Sequence, residues 1–229
     1  MKKSNKKTEI DFASLTAHQF KKPLSSIKLS LEMLLKGDFG KIKKKQKDII
    51  EKILQKNKTL IYLTDDLLNM AKIKEKGRNY NLTLIDINDF IESVTSSAKE
   101  DSKNKRIKFV LEKPILKVQK VMLDKEKMYL AFQNILDNAV RYTPAGGKIN
   151  VSFLVSKKAL EFKAKDSGIG ISDNEKEKLF TEFFRGDGAI KTGVVGSGLG
   201  LFIAKNIIEA HHGKIWFESK ENKGTTFFV

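Results

Sequence analysis

Asn134 and Asn138 stand ahead of two glycine clusters, Asp166-Ser-Gly168-Ile-Gly170 and Gly196-Ser-Gly198-Leu199-Gly200. On a helix, a spacing of four puts both asparagine amides on one face. Their oxygens are hard donors of the kind Mg²⁺ accepts while keeping several of its waters. Asp166 ends an alternating apolar run, Leu160, Phe162 and Ala164, so it sits where a strand opens into a loop. A carboxylate there accepts a hydrogen bond from an exocyclic amine such as that of adenine. Gly168 and Gly170 let the backbone take positive φ and approach a ligand with no Cβ in the way. The second cluster runs into Leu201-Phe-Ile-Ala-Lys-Asn-Ile-Ile-Glu-Ala, a predicted helix. A helix start aims free N–H groups and the positive dipole end at an anion. A lone glycine cluster is more often a turn. The three elements in this order point to one task, holding a nucleoside triphosphate and its metal.

Two kinds of periodicity must position these groups. Residues 9–75 carry a helical period with almost no breakers. Phe20, Leu24, Ile27, Leu31 and Leu34 step by four and three, and Ile42, Ile49, Ile53, Leu60, Leu63, Leu67 and Met70 follow heptad spacing. Both read as coiled-coil seams. Gly37-Asp-Phe-Gly40 interrupts them, which predicts an antiparallel helical hairpin. Ile50, Leu54, Ile61 and Leu68 widen the second helix's stripe beyond one partner's need. Two hairpins forming a four-helix bundle would bury them, so a homodimer is expected. Residues 74–80 read as a linker, dividing the chain into domains at 1–76 and 77–229. From Asn81 the period falls to two. Leu82 and Leu84; Ile107, Phe109 and Leu111; Ile115, Leu116, Val118 and Val121; Ile149 to Val155; and Leu160 to Ala164 read as strands. Ile215 and Phe217 pair with Thr225, Phe227 and Val229 across a turn at Asn222-Lys-Gly224. Helices over 87–102, 125–142 and 199–211 separate the strands. The arrangement expected is α+β, a sheet with helices on one face.

Composition narrows the function. The net charge of +16 invites a nucleic-acid reading, but arginine stands only at 78, 106, 141 and 185, so 40 of the 44 basic residues are lysine. Sequence-specific DNA readers lean on arginine for bidentate contacts to guanine. These lysines are interleaved with Asp and Glu, as on a solvated surface, and no direct nucleic-acid partner is expected. No stretch approaches the ~20 apolar residues of a membrane span. The basic start is followed by no apolar signal region. With no cysteine, the chain suits a reducing cytoplasm. Any membrane attachment is expected through segments outside this chain, as in the cytoplasmic portion of a membrane-anchored receptor.

Three histidines remain. His211 and His212 precede Gly213 at a predicted helix end, a common structural setting. His18 lies beside the seam, and Pro23, five residues on, removes a helical hydrogen bond to Gln19. Ala17-His18-Gln19-Phe-Lys-Lys-Pro23-Leu resembles the phosphoacceptor motif of the sensor histidine kinases of two-component systems. Asn134-Ile-Leu-Asp-Asn138-Ala-Val-Arg141-Tyr142-Thr-Pro resembles their asparagine motif. Asp166 to Gly170 and Gly196 to Gly200 resemble their two glycine motifs. Phe180 with Phe183-Phe184-Arg185 resembles the phenylalanine motif, and Gly224-Thr225 the last nucleotide-binding element. The motifs stand in family order from residue 8 to residue 229.

The resemblance implies a dimerisation and histidine-phosphotransfer hairpin. An ATP-binding α/β sandwich with a mixed sheet follows it, of the type shared with gyrase, Hsp90 and MutL. It implies an ATP-dependent autokinase in which His18, beside Gln19, takes the γ-phosphoryl group and passes it to an aspartate of a response-regulator receiver domain. Asn134, Asn138, Arg141, Tyr142, Asp166, Gly168, Gly170, Phe184, Arg185, Gly196, Gly198, Leu199, Gly200 and Thr225 would bind ATP, with Asn138 and Asn134 on Mg²⁺. Two positions depart from the commonest pattern. Gln19 replaces an acidic residue and is no base, though an unperturbed imidazole is mostly neutral at pH 7. Lys22 replaces a Thr or Asn tied to phosphatase activity and offers no acceptor, so weak phosphatase activity is expected. The rival readings are a dimeric ATP-binding signalling module that transfers little phosphate and a basic nucleic-acid binder.

Overall fold

The computed structural model describes residues 2–75, 80–112, 120–155, 160–194 and 196–229. The chain forms two compact units, Met1–Gly77 with Val195–Leu199, and Arg78–Val194 with Gly200–Val229.

The first unit is a helical hairpin. Helix α1 (Lys2–Lys36) runs through Pro23 without a break, and α2 (Lys44–Glu75) returns against it. Ile42 therefore precedes the second helix instead of opening its seam. The backbone N–H of Lys43 donates to Gln46 Oε1 at 2.8 Å and fixes that start. Of the seam expected on α2, Met70 is buried and Leu63 half-buried, but the other helical positions lie outward and the second stripe takes their place. Leu54, with Asn57, Thr64 and Ala71, is buried, and Ile50, Ile61 and Leu68 are half-buried, whereas Ile49 (58 % exposed), Ile53, Leu60 and Leu67 lie exposed. Both stripes repeat with the same period, so spacing alone does not say which one meets α1. The buried seam is also partly polar. Asn57 Nδ2 donates to the carbonyl of Leu24 at 2.8 Å, and Thr64 Oγ1 to Leu60 at 2.7 Å. Phe20 and Ile27 of α1 are exposed as well. Ser197, on the segment grouped with this unit, donates its hydroxyl to Asp66 of α2.

The second unit is α+β. Strands β1 (Thr83–Asp86) and β3 (Lys120–Leu123) form an antiparallel pair, separate from the main sheet. The main sheet contains β2 (Lys108–Glu112), β4 (Lys148–Val155), β5 (Leu160–Asp166), β6 (Trp216–Lys220) and β7 (Gly224–Phe228). Their order is β2-β4-β5-β7-β6, mixed because β2 and β4 run parallel while the other pairs are antiparallel. The strand expected at Ile115, Leu116 and Val118 lies outside the described residues, as do 76–79 of the expected linker.

Three long helices, α3 (Ile87–Asn104), α4 (Lys125–Tyr142) and α6 (Gly200–Ala210), complete the unit, with a short α5 (Asp187–Lys191). Helix α4 packs between α3 and α6 and against β5. Alternation along the central strands supplies its seat. Ile149, Val151 and Phe153 of β4 pair with Asp166, Ala164 and Phe162 of β5, and all six are buried. Phe132 of α4 stacks on Phe162 with centroids 4.6 Å apart and meets Phe90 of α3 at 5.7 Å. Burying such aromatic rings stabilises by about 1.5–3 kcal/mol each. Asp124 caps α4, its carboxylate accepting from Lys127 N at 3.0 Å. The same carboxylate accepts from Asn81 N at 3.0 Å, tying the start of the unit to α4.

Candidate nucleotide-binding site

Asp166 ends β5 with its side chain buried, 6 % exposed. Its Oδ1 accepts the backbone N–H groups of Gly168 at 2.8 Å and Thr225 at 3.2 Å. Burial pushes its carboxyl up to about 6, against the pull of those backbone bonds.

The loop after it is clamped on both sides. Ile169 N donates to Tyr142 O at 3.3 Å, and Asn222 N to Ile169 O at 2.7 Å. Ile171 N donates to Ser219 Oγ at 2.9 Å, and that hydroxyl also meets Thr225 Oγ1 at 2.8 Å. The two glycines are needed for different reasons. Gly170 has φ 68° and lies against the Lys220 carbonyl, which only a residue without Cβ permits. Gly168 is not left-handed, contrary to the expectation for both glycines. A Cβ there would stand 2.6 Å from Tyr142 O, so close approach to α4 selects it.

Helix α4 brings Asn134, Asn138, Arg141 and Tyr142 along one side, all partly buried. Asn134 Nδ2 is buried with no hydrogen-bond partner, and a Cβ on Gly200 would stand 3.0 Å from Asn134 Oδ1. Gly200 therefore opens α6 directly against this asparagine. A buried amide without a partner costs free energy until something fills it. Among the described residues no group of three or more His, Asp or Glu forms a metal cage. Amide oxygens supplemented by phosphate oxygens are a donor set that suits Mg²⁺, which keeps its waters and takes few protein ligands.

Beyond β5, Phe184 is half-buried, and Arg185 Nη2 donates to the Val194 carbonyl, while its buried Nε has no partner. That bond joins the two ends of the segment carrying α5. Glu175 accepts the backbone N–H of Asp187 at 2.6 Å and steadies its start. Phe183 is exposed with φ 61°. Of the second glycine cluster, only Gly200 belongs to this unit. Gly196, Gly198 and Leu199 group with the hairpin. Gln19 and Lys22 are exposed on α1, and His18 falls one turn before Lys22 on the same helix. His211 is structural, as expected of a helix end. Its Nε2 accepts Asp124 N at 3.2 Å, Nδ1 meets Ile207 O at 2.8 Å, and the ring packs edge-on to Tyr80 at 4.6 Å. Sequence reasoning missed Ser219, whose hydroxyl resembles any other surface serine until the β6–β7 turn folds over the glycine loop.

Comparison with known proteins places this geometry. Residues 123–229 match the family described as histidine kinase-, DNA gyrase B-, and HSP90-like ATPase, and residues 8–76 match the His kinase A (phospho-acceptor) domain. The sensor histidine kinase WalK of Bacillus subtilis (strain 168) is 34 % identical over 222 residues, 94 % of this chain and 35 % of that protein. The sensor protein kinase WalK of Staphylococcus epidermidis (strain ATCC 12228 / FDA PCI 1200) is 32 % identical over 223 residues, 96 % of this chain and 36 % of its own length. The chain thus spans about a third of these relatives. The catalytic domain of histidine kinase ThkA superposes with a TM-score of 0.56 at 30 % identity, covering 65 % of this chain and 93 % of that one. Full-length ShkA, solved in complex with AMPPNP, shares the fold with a TM-score of 0.69 at 20 % identity, over 95 % of this chain and 44 % of its own. With both domain types present in order, the chain belongs to the sensor histidine kinases of two-component systems.

Proposed function

We propose that this chain is an ATP-dependent protein-histidine autokinase that phosphorylates its own His18 and hands the phosphoryl group to an aspartate of a response regulator. The observation that carries the nucleotide assignment is Asp166. It is a buried carboxylate whose Oδ1 is satisfied by two backbone amides and whose ionised form is held at a cost. An adenine amine is the donor that would offset that cost. Asn138 and Asn134 would hold Mg²⁺, which supplies positive charge against the phosphates. Arg141 and Arg185 would add to that charge, and Tyr142, Gly168, Gly170, Phe184, Gly196, Gly198, Leu199, Gly200 and Thr225 complete the proposed set.

The transfer itself needs little covalent machinery from the protein. The imidazole of His18 would attack the γ-phosphorus in line. A nitrogen–phosphorus bond forms, the bond to the ADP oxygen breaks, and the ring loses its proton to solvent. Positioning and charge carry such a step. Gln19 would accept a hydrogen bond from the ring without acting as a base.

Residues 1–76 would serve as the dimerisation and phosphotransfer domain and 77–229 as the catalytic domain. The exposed stripe of Ile49, Ile53, Leu60 and Leu67, with Phe20 and Ile27, supports a homodimer, because a contiguous apolar face of this kind is costly in water. No helix among the described residues is long and apolar enough to cross a membrane. The kinase would work in the cytoplasm, where ATP and the regulator are found. Incubation with γ-labelled ATP and Mg²⁺ separates this reading from a non-catalytic ATP-binding module. Label retained on the chain supports the kinase, and nucleotide binding without label supports the module.

A further inference from the structure

Helix α4 ends at Tyr142, and its last carbonyls need partners. Ala139 O accepts Thr143 N at 3.2 Å and Thr143 Oγ1 at 2.6 Å. Tyr142 O accepts Ile169 N from the glycine loop. The remaining groups converge on one side chain. Lys105 Nζ donates to Val140 O at 2.9 Å, Arg141 O at 2.8 Å and Thr143 O at 3.1 Å. An ammonium has three donors, and here each has a carbonyl at the negative end of a helix.

The base of this side chain is as firmly set as its tip. Lys105 closes α3. Arg106 follows with φ 59°, Ile107 N donates back to Ser102 O at 2.8 Å, and Arg106 N to Lys103 O at 3.1 Å. This is a Schellman stop, and Ile107 beyond it is buried. The Arg106 carbonyl then accepts Gly146 N at 2.9 Å, joining the α3 stop to the turn after α4. Burial, and then the nearby Arg141, push the Lys105 ammonium below its usual range.

We propose that Lys105 is a positioning residue for the nucleotide site. Its ammonium fixes the last turn of α4, which carries Arg141, and through the Tyr142 carbonyl it sets the seat of the Gly168–Gly170 loop. The proposal rests on the nucleotide reading given above, since it concerns how that site is held. Lys105 reaches this region through backbone carbonyls alone.

The test is the dissociation constant of ADP with Mg²⁺, measured by titration calorimetry on the full chain at a temperature well below unfolding. Lys105→Met should raise it by about threefold to thirtyfold, the range seen when a residue remote from a ligand shifts its site. Val94→Ala is the control. It empties part of the α3 core, so it lowers the melting temperature without touching α4's last turn, and its affinity should match the wild type. Lys105→Gln keeps two donors on a side chain one atom shorter and loses the charge, and should give a smaller rise. It decides the matter alone if Lys105→Met does not fold. An affinity equal to wild type in whichever Lys105 variant folds overturns the role of Lys105 while leaving the nucleotide site standing. An equal loss of affinity in Val94→Ala also overturns it, as general destabilisation would then explain both. If the wild type binds no ADP, the nucleotide reading fails and this inference with it.

Discussion

Asp166→Asn should make the nucleotide-free protein more stable while weakening the nucleotide. In the folded chain the carboxyl titrates near 6 instead of 3.8, chiefly because it is buried. The folded state therefore holds the proton more tightly than the unfolded one. This contribution to stability is fully present below pH about 4 and is lost as the pH rises through about 6. Raising the carboxyl from 3.8 to about 6 corresponds to about 3 kcal/mol, an upper bound on the cost of ionised Asp166 at pH 7.5. Asparagine removes the charge and keeps an oxygen for the Gly168 and Thr225 amides. The variant should gain about 1–3 kcal/mol at pH 7.5, or about 3–10 °C in melting temperature. The gain should vanish at pH 4, where the wild-type carboxyl is protonated. Loss of a hydrogen bond to a charged acceptor costs about 1.5–3 kcal/mol, so ADP affinity should fall by about 10- to 150-fold. Thermal melts across pH, with and without ADP, measure both effects. The reasoning fails if Asp166→Asn melts below the wild type at pH 7.5 without nucleotide, or if its advantage persists unchanged at pH 4.

Asn138→Ala should weaken ADP binding in the presence of Mg²⁺ and leave metal-free binding much less changed, as calorimetry with and without EDTA would register. Leu60→Asp puts a charge on the exposed stripe of α2. Each protomer should lose about 2 kcal/mol of buried apolar contact, so a two-fold dimer should weaken by about a thousandfold. Sedimentation at micromolar protein would reveal the monomer, whereas an unchanged dimer would place the interface elsewhere. Lys22→Thr supplies a hydrogen-bond acceptor one turn after His18. It should shorten the half-life of the phosphorylated regulator severalfold with little change in autophosphorylation. An unchanged or longer half-life would show that Lys22 does not limit the phosphatase reaction.

The nucleotide unit was the more legible half, because its signals are local. Alternation along Ile149–Val155 and Leu160–Ala164 depends only on which face of each strand is buried, and these became neighbouring strands β4 and β5. Asn134 and Asn138 fell on α4 as their spacing of four required. The hairpin was legible in outline and misread in detail. Two stripes of equal period ran along α2, and the seam against α1 includes polar Asn57 and Thr64, which a search for apolar residues passes over. Lys105 was invisible. It is one lysine among many, and its partners are backbone carbonyls 35 to 38 residues away that no side-chain pattern encodes. The clamp on the glycine loop by Ser219 and Asn222 has the same character. It arises from the order in which β5, β7 and β6 lie in the sheet, a property of tertiary pairing.

The central claim is that the nucleotide's γ-phosphoryl group ends on His18. The direct measurement is incubation of the full chain and of His18→Gln with γ-labelled ATP and Mg²⁺, followed by acid and base treatment of the labelled protein. The wild type should carry label that acid removes and base leaves in place, the behaviour of a phosphorus–nitrogen bond to imidazole. His18→Gln should carry none while binding ADP as tightly as the wild type. Label persisting in His18→Gln, or acid-stable label on the wild type, would contradict the account.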